Sequence, residues 1–175
     1  MVLYHGTTYK RAQQIFQDRA IKKQCERFFT EEENGDGYST DGYVYLRNEV
    51  TFAMYFAYCH HRVDKSDSIV VFEIEIPDEM ILPDYDEMIY QDLTGTDRAR
   101  YSNDLSCSLF EFKACRISED ILFEEFEIRY FRLFTNDVDD IGDLFDNVGC
   151  NYEYVTENYS SKQIEFIQSI HWMSI

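Results

Sequence analysis

The segment at residues 68–77 constrains the fold more than any other part of the chain. It reads Ser-Ile-Val-Val-Phe-Glu-Ile-Glu-Ile-Pro, a continuous apolar run that passes into strict alternation. β-branched and aromatic residues in this arrangement predict a strand that is largely buried at its start and half-buried towards its end. The fold therefore includes a β-sheet, and this segment is its clearest strand.

Weaker patterns on both sides of this segment predict further strands and three helices. Additional strands are predicted at residues 2–5, 43–46, 109–117 and 128–134, with a short strand or turn at 81–84. Helices are predicted after Thr7 or Thr8, after Asn48 or Thr51, and over residues 160–172, where apolar residues recur at helical spacing. Two early strand–helix units, a run of strands and a closing helix indicate the α+β class.

Composition favours a single domain over residues 1–175. Hydrophobic residues make up 45% and aromatic residues 17% of the chain, which is too much apolar surface for a disordered protein. Residues 135–175 are expected to form an acidic segment and the closing helix, packed on that domain. The aspartates within residues 137–146 do not have the spacing of a calcium loop, so a solvated face or turn is the favoured interpretation.

Charge and cysteine content limit the partners and the compartment. A net charge of −18 repels phosphate backbones, which disfavours general nucleic-acid binding and leaves a basic protein as a possible partner. The five cysteines are scattered without a Cys-x-x-Cys pair, so we expect free thiols in a reducing, cytoplasmic compartment and no zinc site. Neither a membrane span, which needs roughly 18 apolar residues, nor a signal peptide is expected.

The first strand ends in a short polar motif, His5-Gly6-Thr7. Glycine permits close approach of the backbone to a ligand, histidine can donate or accept a hydrogen bond, and threonine can bond or cap a helix. A second segment, Gly42-Tyr43-Val44-Tyr45-Leu46, offers Tyr45 as an aromatic partner. An ordinary strand end and a core tyrosine explain the same residues, since the chain contains 14 tyrosines.

Taken in order, these motifs resemble the His–Tyr–Glu triad of the ADP-ribosyltransferases, the poly(ADP-ribose) polymerase and diphtheria-toxin-like group. The resemblance extends to Ala53-Met54-Tyr55-Phe56-Ala57, with Phe56 where tyrosine is common, and to Leu82-Pro83-Asp84. Glu111 matches the third member of the triad, which normally begins a late strand, and Glu73 and Glu75 are its chief rivals. The resemblance covers roughly residues 2 to 126 and implies two packed, mainly antiparallel sheets with flanking helices.

The resemblance also implies roles for individual residues. NAD would be the substrate, with no metal, and His5, Tyr45 and Glu111 would be catalytic. The implied NAD-binding residues are His5, Gly6, Thr7, Tyr45, Thr51 and Ala53. Tyr45 would stack on the nicotinamide ring, while the carboxylate would stabilise the oxocarbenium-like charge that develops as the glycosidic bond breaks.

The function implied is a mono-ADP-ribosyltransferase that modifies a protein or nucleic acid, of the kind found among small toxins and phage-defence effectors. An antitoxin or chaperone would be its protein partner. A non-catalytic relative that binds NAD, another nucleotide or a protein is the first alternative. An RNA 2′-phosphotransferase-like enzyme ranks last, because Arg98 and Arg100 are a poor substitute for the cations that hold a 2′-phosphate.

Overall fold

The computed structural model describes residues 1–24, 39–91, 104–134 and 161–175. Its strands are β1 (Val2–Thr8), β2 (Ala20–Ile21), β3 (Val44–Arg47), β4 (Ser68–Glu75), β5 (Leu82–Pro83), β6 (Ala114–Ile117), β7 (Ile121–Leu122), β8 (Ile128–Phe134) and β9 (Met173–Ser174). Its helices are α1 (Tyr9–Asp18), α2 (Val50–Asp64), α3 (Tyr85–Gln91), α4 (Leu105–Glu111) and α5 (Ser161–Ser169), with a 3-10 turn at Asp78–Met80. The α+β class predicted from the sequence is confirmed.

Seven of these strands form one sheet in the order β5-β6-β3-β1-β4-β8-β9, and each neighbouring pair is antiparallel. The predicted strand at residues 68–77 is β4. It pairs along one edge with β1 over seven residues and along its other edge with β8, also over seven residues. β2 and β7 form a separate two-stranded ladder. Within the described residues, the two expected sheets are therefore one large sheet and one short ladder.

Apolar side chains cover both faces of the large sheet. On the face that packs against α1, the core includes Leu3, Leu46, Phe72 and Ile117, with Ile21 and Ile121 of the short ladder. On the face that packs against α2, the core includes Ala53, Met54, Ala57, Ile69 and Val71, with α5 packed beside them. Fully burying each large apolar side chain contributes roughly 1.5–3 kcal/mol, so these layers hold β1 and β3 in fixed positions. The two sides are called the α1 face and the α2 face.

Local capping explains where the first two helices begin. Thr8 caps α1 as predicted, because its hydroxyl accepts a hydrogen bond from the Arg11 backbone N–H at 3.4 Å. The prediction for α2 was wrong: its N-cap is Glu49, which makes no side-chain capping bond, so neither Asn48 nor Thr51 opens the helix. Asn48 instead donates its side-chain N–H to the Leu109 carbonyl at 2.8 Å.

The strand predicted at residues 109–117 is wrong in its first half. Residues 105–111 form helix α4, because Asp104 accepts a hydrogen bond from the Cys107 N–H at 3.0 Å and so caps it. Leu105 and Leu109, one helical turn apart, pack on the α1-face core. Lys113 then adopts φ 53°, a left-handed conformation that ends the helical segment before β6 begins. An apparent alternation of apolar and polar residues was therefore a helical stripe.

The remaining helices, the cysteines and the acidic run differ in how they compare with the sequence predictions. Helix α3 was not predicted at all, and the closing helix ends at Ser169 rather than Trp172, after which the chain returns to the sheet as β9. Cys59, Cys107 and Cys115 are not in disulfides. Cys25, Cys150 and the acidic run of residues 137–146 lie outside the described residues. No described helix is long and apolar enough to cross a membrane.

Candidate active site at the parting of β1 and β3

Strands β1 and β3 lie side by side but share one register pair, Tyr4↔Arg47. Beyond that pair β1 continues for four residues, paired with β4 alone. The gap between the strands is bridged by His5, whose Nδ1 lies 3.0 Å from the Tyr45 carbonyl oxygen. The place where the pairing of the two strands stops, the β1–β3 notch, has His5–Thr8 on one side and Val44–Tyr45 on the other. It brings together the two motifs that the sequence singled out.

The hydrogen bond to Tyr45 determines how a neutral His5 ring is protonated. A carbonyl oxygen only accepts, so Nδ1 must be the donor, and Nε2 of the neutral ring is then an acceptor. An imidazole held in this tautomer is suited to accept a hydrogen bond from a sugar hydroxyl. The structure therefore sets the tautomer of a neutral His5 ring, which the sequence could not specify.

The side chains of His5 and Tyr45 leave the sheet on opposite faces. His5 shares the α1 face with Phe72, its register partner on β4, and the two rings are 6.5 Å apart. Tyr45 alternates with Leu46, which belongs to the α1-face core, and so projects from the α2 face together with Arg47. The two predicted residues therefore meet through an imidazole and a carbonyl rather than through stacked rings.

Gly6 lies directly under helix α2. A Cβ built on Gly6 would stand 1.8 Å from the carbonyl oxygen of Ala53, a distance that no real carbon adopts. Packing between β1 and α2 is therefore sufficient to require glycine here. Ala53, also predicted to bind NAD, is buried against the notch, and Thr7 is buried on β1. The predicted NAD-binding residues 6 and 53 are thus in mutual contact.

Thr51 is fully buried in the first turn of α2, and its hydroxyl has no hydrogen-bond partner among the described residues. The same is true of the Asn48 side-chain oxygen, three residues earlier. Leaving a buried polar group unsatisfied costs roughly 1–3 kcal/mol, so such groups call for a ligand or another explanation. Thr51 is the residue that the resemblance assigns to the nicotinamide carboxamide.

The Tyr45 hydroxyl is anchored at its far end. It lies 2.9 Å from the Thr40 carbonyl oxygen and in contact with the carboxylate of Asp86, to which it can donate. Burial, together with the negative charge of Asp86, raises the pKa of the Tyr45 phenol above its ordinary value. The phenol therefore stays neutral, and its ring is held at the side of β3.

Buried charges surround Tyr45 on the α2 face. The Arg47 guanidinium lies 2.7 Å from the Glu87 carboxylate and 3.9 Å from the centre of the Phe56 ring. Asp84 is 1% exposed and caps α3, since its Oδ1 accepts from the Glu87 N–H at 3.1 Å. Burial raises the pKa of Asp84 to about 7, against the lowering effect of Arg47. Sequence reasoning did not identify this cluster as part of the site.

Glu111 does not begin a strand, as the resemblance required. It is the last residue of α4, and its side chain is exposed. Of its rivals, Glu73 is paired with Arg129 and Glu75 is exposed. Within the described residues, Asp86 is the carboxylate that contacts Tyr45.

His60, on α2, adds a half-buried and neutral imidazole near the notch. Burial, followed by the positive charge of Arg11, lowers the pKa of His60 to about 4. Among the described residues, no three His, Cys, Asp or Glu side chains are grouped so as to hold a metal ion. Arg98 and Arg100, on which an RNA 2′-phosphotransferase activity would depend, lie outside the described residues.

Comparison with known proteins returned no relative. No protein-family model matches the chain, and neither a curated protein nor a solved structure matches it. Functional assignment therefore depends on the residues of the notch and their chemistry.

Proposed function

We propose that this chain is a mono-ADP-ribosyltransferase that moves ADP-ribose from NAD to a macromolecular acceptor. The observation that supports this proposal most strongly is the β1–β3 notch, where His5 on one strand contacts the backbone of Tyr45 on the other. Gly6 lies on the β1 side of the notch, and Thr51 lies in the helix that covers Gly6.

Each notch residue has a role that follows from its chemistry. The acceptor nitrogen of neutral His5 would bind a ribose hydroxyl, and the buried Thr51 hydroxyl would bond the nicotinamide carboxamide. Tyr45 presents an aromatic ring whose hydroxyl is already anchored, so its plane is fixed before the substrate binds. Fixed groups of this kind catalyse by stabilising charge as it develops, and removing one typically lowers the rate on the order of a hundredfold.

The proposal also requires an acid that stabilises the oxocarbenium-like ribose. The resemblance selects Glu111, whose side chain is exposed at the end of α4. That position favours a second candidate function, a non-catalytic relative that binds NAD or another nucleotide without cleaving it. The two functions differ in one measurable property, the release of nicotinamide.

The test is incubation of the purified protein with labelled NAD and whole-cell lysate, with nicotinamide release measured in parallel. We expect release and transfer of label, both reduced at least about tenfold in His5→Ala and unchanged in His171→Ala, which alters an exposed histidine. Glu111→Gln is compared with Glu119→Gln, another exposed acid. NAD binding without nicotinamide release in any lysate would refute the transferase and support the second function. Full activity in Glu111→Gln would refute only the assignment of the acid.

The same assay identifies the acceptor when the labelled material is separated into protein, RNA and DNA. A net charge of −18 favours a protein acceptor and, by the same attraction, a basic antitoxin or chaperone as partner. We accordingly propose a toxin or phage-defence effector that acts in the cytoplasm. Label that enters RNA or DNA would refute the preference for a protein acceptor and leave the transferase reaction intact.

A further inference from the structure

Arg116 is a buried arginine whose hydrogen-bonding capacity is largely unused by the described residues. It lies in the apolar strand β6, is 6% exposed, and has its guanidinium between the rings of Tyr43 (4.0 Å) and Tyr85 (4.9 Å). Its Nη1 lies 3.4 Å from Asp86 Oδ1, a long contact, and its buried Nε has no partner among the described residues. Because a guanidinium carries five N–H donors, this geometry points to a further acceptor.

The acceptor now facing Arg116 is the carboxylate of Asp86. The same carboxylate accepts from the Thr40 backbone N–H at 2.7 Å, from the Thr40 hydroxyl at 2.8 Å and from the Tyr45 hydroxyl. One guanidinium, two hydroxyls and a backbone N–H therefore converge on one anionic group. That donor set is also the one that proteins use to hold phosphate oxygens.

We propose that Arg116, Tyr45 and Thr40 form an oxyanion cradle for the diphosphate of a dinucleotide, and that Asp86 fills the cradle when no ligand is bound. Tyr45 belongs to both the cradle and the β1–β3 notch, so one ligand can reach the two together. A carboxylate and a phosphoryl group repel each other, so Asp86 must withdraw as the ligand enters. The choice of NAD as that ligand rests on the proposed function. The replacement of the Asp86 carboxylate by a diphosphate does not depend on that function.

The test compares the wild type with Asp86→Asn, which keeps the shape of the side chain and removes its charge. Inorganic pyrophosphate is titrated by calorimetry, and we expect Asp86→Asn to bind it at least about tenfold more tightly than the wild type. Adding Arg116→Gln to that variant should abolish the gain. Asp67→Asn is the matched control, since Asp67 pairs with Arg132 at 3.1 Å and should leave the affinity unchanged.

A thermal melt shows whether each variant folds. If Asp86→Asn does not fold, Thr40→Val in the wild-type background replaces it, and weaker pyrophosphate binding is the expected result because Thr40 is an exposed donor. Equal affinity in the wild type and a folded Asp86→Asn, or the same gain in Asp67→Asn, would overturn the cradle.

Titration of ADP-ribose in the same preparations separates the cradle from the proposed function. Binding of ADP-ribose more tightly than pyrophosphate supports a nucleotide diphosphate as the ligand, and weaker binding overturns that choice. Pyrophosphate binding that changes as predicted, with no NAD binding or nicotinamide release, refutes the proposed function but not the cradle. Nicotinamide release with pyrophosphate binding unaffected by either substitution refutes the cradle but not the function.

Discussion

Gly6→Ala tests the packing that holds the notch together, and its effect can be worked from one contact. The added Cβ would lie 1.8 Å from the Ala53 carbonyl oxygen and 2.6 Å from its carbonyl carbon. Both partners are main-chain atoms, so no side-chain rotation relieves the clash, and β1 and α2 must separate by about 1.2 Å to reach the 3.0 Å limit of real contacts. Overpacking of this kind costs about 1–3 kcal/mol, and we expect the upper end of that range.

Urea denaturation of the free protein measures the loss, and a thermal melt should show a fall of roughly 6–12 °C, at about 2–4 °C per kcal/mol for a chain of this size. Gly42→Ala is the matched control. Gly42 has φ +85° and nothing within 4 Å of an added Cβ, so only its backbone conformation opposes the change, by about 1–2 kcal/mol. Adding Ala53→Gly should not rescue Gly6→Ala, because the clashing oxygen remains. A Gly6→Ala protein as stable as the wild type would refute this account of the β1–α2 contact.

Three further substitutions probe the buried polar groups. Asp84→Asn should stabilise the protein by up to about 4 kcal/mol at pH 8 and have little effect below pH 4. The reason is that folding raises the pKa of the Asp84 carboxyl from 3.8 to about 7, so the wild type loses stability as the pH rises between these two values. Denaturant titrations at several pH values measure this loss. Glu87→Ala should cost about 3–5 kcal/mol, because it removes the carboxylate that faces the buried Arg47 guanidinium at 2.7 Å. Asp78→Ala, at an exposed ion pair, should cost under about 1 kcal/mol. Thr51→Val should preserve or raise the melting temperature yet weaken NAD binding several-fold, with Thr51→Ser restoring it.

Each of these three has a result that would count against it. If the stability of Asp84→Asn falls with rising pH as steeply as that of the wild type, Asp84 is not the cause of the pH dependence. Equal losses for Glu87→Ala and Asp78→Ala would mean that burial adds nothing to the pair with Arg47. Unchanged NAD affinity in Thr51→Val would show that the Thr51 hydroxyl does not bind the ligand.

The sequence predicted the centre of the sheet well because local pattern and tertiary context agree there. β4 is flanked by strands and covered on both faces, which is the environment that its apolar run indicates. Thr8 was identified as a cap for a similar reason, since a threonine hydroxyl before an apolar helix has one obvious donor to satisfy.

The errors lie where two periodicities compete or where the partners are distant in sequence. Residues 109–112 alternate like a strand, but Asp104 and the spacing of Leu105 and Leu109 select a helix, and a few residues of pattern cannot decide between the two. The opposite projection of His5 and Tyr45 depends on the register of β1 with β3, which no local pattern encodes.

Arg116 stands out in the sequence as a residue that needs a partner. It is a charged residue between Cys115 and Ile117 in a strand that is otherwise apolar, and a cation placed there must find an anionic or aromatic partner. Its actual partner, Asp86, comes from the polar segment after Pro83, thirty residues earlier. The sequence therefore shows that Arg116 is unusual, but its contact with Asp86 could be found only from the fold.

The central claim is that the notch between β1 and β3 binds NAD, and calorimetric titration of the purified protein with NAD tests it most directly. We predict saturable binding at one site, weakened at least about tenfold in Tyr45→Ala and unchanged in His171→Ala, with both variants folded. No saturable binding by the wild type, or equal affinity in a folded Tyr45→Ala protein, would contradict the account.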